Sequence, residues 1–179
     1  ILEDLVPTAG NPGSDIWFSA KLNASDNSYA PGIPTGRLSA LTNAEVSNYL
    51  TKVIQYEEIP DSAEWKKNVL HLAGGYGALE VSQIAKGVQE WKDIADSLYY
   101  GATVKTISRP KNNNQSNISN INISEQVNNG LLILSFFGHS SALTTDIDIG
   151  LASNPIKNYT NTNGKYPLIL LNGCNSGDC

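Results

Sequence analysis

Two stretches near the carboxyl end decide the fold: LLILSFFGHSS at residues 131–141 and YPLILLNGCNSG at residues 166–177. Each begins as a short apolar run that ends in glycine, which is typical of a strand buried in a parallel sheet. His139 follows the first run and Cys174 follows the second. Reacting groups of open α/β sheets lie beyond the carboxyl ends of the strands, and neighbouring strands are only about 4.8 Å apart. We therefore expect the imidazole and the thiol to meet, as in a Cys-His nucleophilic enzyme.

The rest of the chain alternates between helical and strand patterns. The stretch 42–45 has the spacing of a capping box, and the apolar residues after it recur with helical periodicity. The predicted elements are an extended segment at Ile16–Ala20, a helix from Thr42 to about Glu57 that buries one face, a central strand at Asn68–Ala73, a helix at Ala78–Tyr99 that buries Ile84, Val88, Trp91, Ala95 and Leu98, a strand at Ala102–Ile107, an Asn-rich loop at Lys111–Asn122, a short helix at Ser119–Asn129, and strands at Leu131–Phe137 and Tyr166–Leu171. This alternation predicts an α/β domain with a mostly parallel sheet and helices on both faces.

The composition limits the class of protein. The 179 residues are 40% hydrophobic, which suits one domain with its own core. The net charge of -5, with basic residues scattered singly, argues against a nucleic-acid partner, and no apolar run is long enough to span a membrane. The chain starts without Met and stops five residues after Cys174. We therefore expect residues 1–179 to be one partial domain, truncated at both ends.

The cysteine chemistry centres on Cys174. A cysteine attacks as its thiolate, and Gly173 and Gly177 permit a tight turn whose backbone N–H groups point at a developing oxyanion. His139 would accept the thiol proton and then donate it to the leaving amine. The structural alternative is a buried cysteine that acts as a small hydrophobe, with a histidine that caps a strand.

Other polar residues have competing interpretations. Gly138-His139-Ser140-Ser141-Ala142 resembles a nucleophile elbow with Ser140 as the nucleophile, although no histidine follows it to complete a triad. Glu80 stands where a dinucleotide-binding loop would have its third glycine, so 74–77 is read as a strand-to-helix turn, and Glu80 is a candidate to orient the imidazole. His71 is expected in the core. Asp146 and Asp148 are read as a solvated turn, which leaves a structural calcium ion open as the alternative, and no other cofactor is expected.

Taken together, these residues resemble the catalytic domain of the gingipain-type cysteine peptidases, relatives of caspases, legumain and separase. The resemblance covers nearly the whole chain, and its most specific parts are the histidine and cysteine segments. The matching stretches are Pro7-Thr8-Ala9-Gly10 with Ser14-Asp15, residues 33–40, residues 45–57, residues 65–69, Phe137-Gly138-His139-Ser140 and Leu171-Asn172-Gly173-Cys174-Asn175-Ser176-Gly177.

The resemblance implies a caspase-like three-layer α/β sandwich that is incomplete in this chain. It implies an endopeptidase with His139 and Cys174 as the dyad, and an oxyanion hole made by the backbone at Ser140 and Cys174. Two positions depart from the family pattern, because Ser140 replaces the usual glycine after the histidine and Gly173 replaces the usual alanine before the cysteine.

The resemblance also implies protein or peptide substrates and a secreted, periplasmic or cell-surface location. One branch of the family consists of type IX secretion sortases, which implies secretion-system components as partners and transfer of C-terminal sorting domains. An inactive scaffold or binding module and a serine hydrolase that uses Ser140 are the remaining alternatives.

Overall fold

The structure of the protein is a computed structural model that describes residues 7, 8, 10, 13–20, 30–111, 117–161 and 163–176. The chain forms two compact units, one of residues 1–46 with 177–179 and one of residues 47–176. Ala9, Gly177 and residues 112–116 of the Asn-rich loop, all named in the sequence-based predictions, lie outside the described residues.

In the first unit, the segment predicted to be extended forms a single turn of 3-10 helix, Ile16–Phe18. The strand prediction was wrong because Phe18 and Ser19 donate their backbone N–H groups back to Asp15 and Ile16, over 3.0 and 3.1 Å. Arg37 makes a two-pronged ion pair with Asp15, at 2.6 and 2.9 Å, which lowers the pKa of that carboxyl below its ordinary value. Two stretches that carry the family resemblance are thus joined directly.

Helix α1, Asn43–Glu57, begins as the capping box predicts. Thr42 Oγ1 accepts from the Glu45 backbone N–H at 3.2 Å, and Glu45 Oε2 accepts from the Thr42 N–H at 2.9 Å. The prediction that one face of this helix is buried was wrong, because none of its residues is buried and Tyr49, Leu50 and Ile54 are about half exposed.

In the second unit, four parallel strands form the main sheet in the order β2-β1-β4-β6. The strands and helices of this unit are β1 Asn68–Ala73, α2 Gly77–Ala95, β2 Thr103–Ser108, β3 Ser119–Asn120, α3 Ser124–Asn129, β4 Ile133–Phe137, β5 Ile147–Asp148 and β6 Leu168–Asn172, with 3-10 turns at Glu64–Lys67 and Pro155–Lys157. The predicted central strand is confirmed residue for residue, and the other three strands of the main sheet agree within two residues.

The two faces of the main sheet pack against different helices. Leu70, Leu72, Leu134 and Phe136 join Val127 of α3 in the buried core on one face. On the other face, the Trp91 ring of α2 lies edge-on to His71 at 6.4 Å, and to Phe137 at 6.0 Å. Helix, sheet and helix form three layers, as expected for a caspase-like α/β sandwich. The sheet is incomplete at β6, where Leu168, Ile169, Leu170 and Leu171 are all about half exposed.

Two predicted helices need correction. Helix α2 ends at Ala95, so Leu98 lies outside it and is fully exposed, while Trp91 is half exposed. The short helix begins at Ser124, because Ser119–Asn120 pairs instead with Ile147–Asp148 as a small parallel sheet. A two-residue strand of polar composition carries no periodic signal, and its partner is distant along the chain.

His71 occupies the core, as predicted. Its Nδ1 lies 2.5 Å from Ser135 Oγ, and burial lowers the pKa of the imidazole below its ordinary value. The neutral ring therefore packs under α2 with a hydroxyl partner from the neighbouring strand.

Ser135→Ala is expected to destabilise the fold by about 1–3 kcal/mol, because it leaves a buried ring nitrogen of His71 without a partner. Urea titration followed by circular dichroism measures the free energy of unfolding. Ser47→Ala, at an exposed position of α1, is the control and should change stability by less than about 0.5 kcal/mol. Equal effects of the two substitutions would contradict this role of the His71–Ser135 pair.

Candidate active site

The register of β4 and β6 brings the two chemistry-bearing segments together. Phe137 is paired with Asn172, and the Gly138 N–H donates to the Asn172 carbonyl at 3.1 Å. His139 and Cys174 each lie two residues beyond that pair. Because parallel partners advance together, both residues leave the sheet at the same edge and on adjacent strands.

Direct contacts continue beyond the strands. Ser140 Oγ donates to the Cys174 carbonyl at 2.5 Å and shares a hydrogen bond of 2.8 Å with Ser176 Oγ. Ser176 Oγ in turn lies 3.1 Å from the Gly173 carbonyl, which it can satisfy as a donor. The residue after His139 is therefore hydrogen-bonded to the turn that carries Cys174.

Cys174 is exposed, so the interpretation of this residue as a buried hydrophobe was wrong. The next residue, Asn175, has a left-handed backbone with φ of 56°, a conformation that asparagine tolerates better than most residues. The strand ends in a tight turn that projects the cysteine from the sheet edge rather than into the core.

The two departures from the family pattern are in contact. A Cβ added at Gly173 would clash with Ser140 Oγ and would lie 3.0 Å from Ser140 Cβ and 3.2 Å from the Phe136 ring. The serine hydroxyl thus occupies space that an alanine side chain at position 173 would need. Ser140 and Gly173 are a matched pair.

Glu80 holds the imidazole of His139. Its Oε1 lies 2.9 Å from His139 Nε2, and its Oε2 accepts from the Tyr76 backbone N–H at 2.6 Å. That N–H, more than the imidazole, lowers the pKa of the Glu80 carboxyl below its ordinary value. The first turn of α2 therefore presents a carboxylate to the histidine, in the orienting position considered from the sequence.

Tyr76 contributes a second contact to the histidine that the sequence did not indicate. Its ring stacks on the imidazole with centroids 4.1 Å apart and planes inclined by 4°. The Arg109 guanidinium lies 5.2 Å from the centre of the same tyrosine ring. An aromatic residue after a glycine pair is too common a pattern to predict such a stack.

A buried ion pair fixes the loops under this site. The Arg109 side chain is fully buried, donates to the Gly75 carbonyl at 2.9 Å, and also donates to the Asn117 carbonyl. Asp146 Oδ2 lies 3.6 Å from Arg109 Nη1 and accepts from the Gly75 N–H at 2.7 Å. The connections that follow β1 and β2 and the segment before β5 are tied together by this network.

The interpretation of Asp146 as part of a solvated turn was therefore wrong, since only 4% of this residue is exposed. Its Oδ1 is packed where a Cβ at Gly74 or Gly138 would stand, so the ends of β1 and β4 both require glycine. Asp148 instead accepts from the Gly150 N–H at 2.8 Å. Among the described residues, no group of three or more His, Cys, Asp or Glu side chains is arranged to hold a metal ion.

A pocket of about 230 Å³ opens beside His139. Its walls come from the loop after β4, from Tyr76, and from Asn117 and Ile118. Four of the loop residues, Ser140, Ser141, Thr144 and Thr145, carry hydroxyl groups, and that of Ser140 is bonded to the Cys174 turn.

Comparison with known families identifies the family of the chain. The family model described as Peptidase family C25 matches residues 2–179. The chain belongs to peptidase family C25. This is the gingipain family of cysteine peptidases, so the predicted resemblance is confirmed, and the family assignment supports hydrolase activity on protein substrates. No curated protein and no solved structure matched the chain.

Members of the C25 family are typically extracellular. No helix among the described residues combines the length and apolar character that crossing a bilayer requires.

Gly173→Ala is expected to destabilise the protein by about 1–3 kcal/mol, because the new methyl group displaces the Ser140 hydroxyl from its hydrogen bonds. In the double variant with Ser140→Gly the clash is removed, so the loss should be smaller than the sum of the two single losses. Chemical denaturation of the four proteins gives the coupling energy.

Gly87→Ala is the matched control for that cycle. A Cβ at Gly87 meets nothing within 4 Å, and the residue lies inside α2, where alanine is preferred to glycine by about 1 kcal/mol. Its effect should add to that of Ser140→Gly. Additive effects of Gly173→Ala and Ser140→Gly would contradict the pairing of positions 140 and 173.

Proposed function

We propose that the protein is a cysteine endopeptidase in which Cys174 is the nucleophile and His139 the general base. The observation that carries this proposal is the β4–β6 register, which puts an exposed thiol and an imidazole on adjacent strand ends. The Glu80 carboxylate on His139 Nε2 supports it, because a base oriented by a third group is the usual arrangement around an activated nucleophile.

The mechanism assigns the two ring nitrogens different roles. Nε2 carries its proton toward Glu80, so Nδ1 has the lone pair that takes the proton from the Cys174 thiol. The thiolate attacks the substrate carbonyl carbon and forms a tetrahedral oxyanion. The imidazolium gives its proton to the leaving nitrogen as the C–N bond breaks, which leaves a thioester on Cys174. Water, deprotonated by the same imidazole, then attacks the thioester and releases the acid.

The oxyanion would be held by the backbone N–H groups of Ser140 and Cys174. Two bonds support this role. Ser176 Oγ lies 3.1 Å from the Gly173 carbonyl, which shares its peptide plane with the Cys174 N–H. The Asp146 N–H donates at 2.8 Å to the His139 carbonyl, which shares its plane with the Ser140 N–H. The chemistry requires no metal ion and no organic cofactor.

Modification of the thiol tests the assignment of the dyad. The full-length protein should react with a peptidyl chloromethyl ketone at Cys174, as shown by mass spectrometry of the labelled peptide. Cys174→Ala should abolish labelling, and His139→Ala should slow it by about 10²–10⁴-fold. Glu80→Gln should slow it by about 10–100-fold, less than loss of a buried triad carboxylate, because Glu80 is partly exposed.

Ser140→Ala is the control that separates the alternatives. This substitution removes the hydroxyl of the serine-hydrolase hypothesis and should leave Cys174 able to react with the ketone. A protein that is inert to the ketone while His139 and Glu80 are intact would favour the inactive-scaffold hypothesis. Loss of labelling in Ser140→Ala but not in Cys174→Ala would favour a serine nucleophile.

A sortase of the type IX secretion system is the second candidate, and it shares every step up to the thioester. The pocket beside His139 supports this candidate, because an amine nucleophile needs room next to the imidazole that deprotonates it. A secreted, periplasmic or cell-surface location, with secretion-system components as partners, is part of the same proposal.

Hydrolysis and transfer differ in the product. Incubation of the full-length protein with a cleavable peptide and an added amine such as glycinamide should give free acid from a peptidase and an amide adduct from a sortase. Mass spectrometry of the acyl fragment distinguishes the two products. Cys174→Ala should give neither, which controls for spontaneous aminolysis.

A further inference from the structure

We propose that the pocket beside His139 binds the first residue after the scissile bond and selects an uncharged side chain that donates hydrogen bonds. The inference rests on the peptidase function proposed above and specifies its substrate class.

The position of the pocket follows from the order of the strands. Its walls come from segments that follow β1 and β4 and from the segment before β3, and none of the described residues 173–176 lines it. In the sheet, β1 and β6 lie on opposite sides of β4. His139, at the end of β4, therefore stands between the pocket and Cys174.

The reaction sets which part of the substrate reaches that side. Sulfur bonds to the carbonyl carbon, and the imidazolium must reach the nitrogen that leaves. The leaving nitrogen is therefore at His139, and the residue that carries it extends away from the sulfur. That direction leads from Cys174 past the imidazole and into the pocket.

The pocket walls present hydrogen-bond acceptors. The hydroxyls of Ser141, Thr144 and Thr145 each donate their proton to a backbone carbonyl of the same loop, to Thr144, Thr145 and Ile147 respectively. The Ser141 oxygen also accepts from the Leu143 N–H at 3.4 Å, and the oxygen lone pairs of Thr144 and Thr145 remain for a ligand. A hydroxyl or amide side chain supplies the donors that such oxygens need, whereas a carboxylate supplies none.

The carboxylate in the pocket wall does not alter this preference. Asp146 is paired with Arg109 and packed beneath Gly74 and Gly138, so its charge is already compensated. Thr144 and Thr145 are half-buried, and a half-buried acceptor left without a donor still costs more than a lost apolar contact, so hydrogen bonding discriminates between side chains here. Serine, threonine, asparagine or glutamine is therefore the expected residue after the cleaved bond.

Isosteric substrate pairs test the inference. Peptide libraries randomised before the scissile bond would differ only in the first residue after it, as Asn against Asp and Thr against Val. Cleavage by the full-length protein, read as new amino termini by mass spectrometry, should favour Asn over Asp by about tenfold or more and Thr over Val by several-fold. Equal cleavage within both pairs would overturn the inference.

A variant locates the preference in this pocket. Thr144→Val keeps the shape of the side chain and removes its oxygen, so the Asn-to-Asp ratio should fall by at least two- to threefold. Thr160→Val is the matched control at a threonine that does not line the pocket, and its ratio should equal that of the unmodified protein. An unchanged ratio in Thr144→Val would contradict the assignment.

The chloromethyl ketone separates this failure from failure of the proposed function. Its leaving group is chloride, so it reacts with Cys174 without a residue in the pocket. A protein that neither reacts with the ketone nor cleaves any library lacks the proposed peptidase activity. A protein that does both, yet shows no preference in either pair, is a peptidase without this selectivity.

Discussion

The parallel pairing of β4 with β6 is the constraint on which the candidate site depends. Since side chains alternate between the faces of a sheet, a slip of one residue would move Leu134 and Phe136 from the α3 face to the α2 face. The same slip would displace His139 from Cys174 by one residue along the strand. Burial of two large apolar side chains therefore fixes the relative position of two polar ones. The strand register that buries the core is therefore the same register that brings His139 and Cys174 to adjacent positions.

Beneath the site, a buried polar network fixes the paths of the loops, which the sheet alone does not determine. Parallel strands fix where the loops begin but not the path that each loop takes afterwards. Arg109 and Asp146 bind the backbone at Gly75, and the residue after it, Tyr76, supplies both the N–H on Glu80 and the ring on His139. Because a buried charge without its partner is costly, this network favours one loop arrangement strongly. The imidazole is thus oriented by contacts that depend on a buried ion pair.

The sequence predicted the parts of this structure that depend on local pattern. Apolar runs ended by glycine located three of the four strands of the main sheet, and the capping box located the start of α1 within a residue. Local pattern failed where the deciding partner is distant: Asp146 looks like a surface residue until Arg109, 37 positions earlier, is placed beside it. Glu80 could be considered from its position in the first helical turn, whereas Tyr76 gave no periodic or motif signal. The exposed face of α1 shows the converse limit, since helical periodicity predicts which side is apolar but not what covers it.

Ser140 and Gly173 show how a site can depart from its family pattern without losing its geometry. With glycine after the histidine, a small side chain at position 173 has room, and the turn that carries the cysteine is held by packing. With serine there, the hydroxyl fills that room and reaches the Cys174 carbonyl and Ser176 instead. Directional hydrogen bonds from the Ser140 hydroxyl thereby replace the van der Waals contact that a methyl group at position 173 would make. Ser176, the partner of Ser140, lies 3.1 Å from the Gly173 carbonyl in the peptide plane that carries the Cys174 N–H, and this N–H is a proposed oxyanion donor that must be oriented before charge develops. The two substitutions make sense only together, since either one alone leaves a gap or a clash beside the nucleophile.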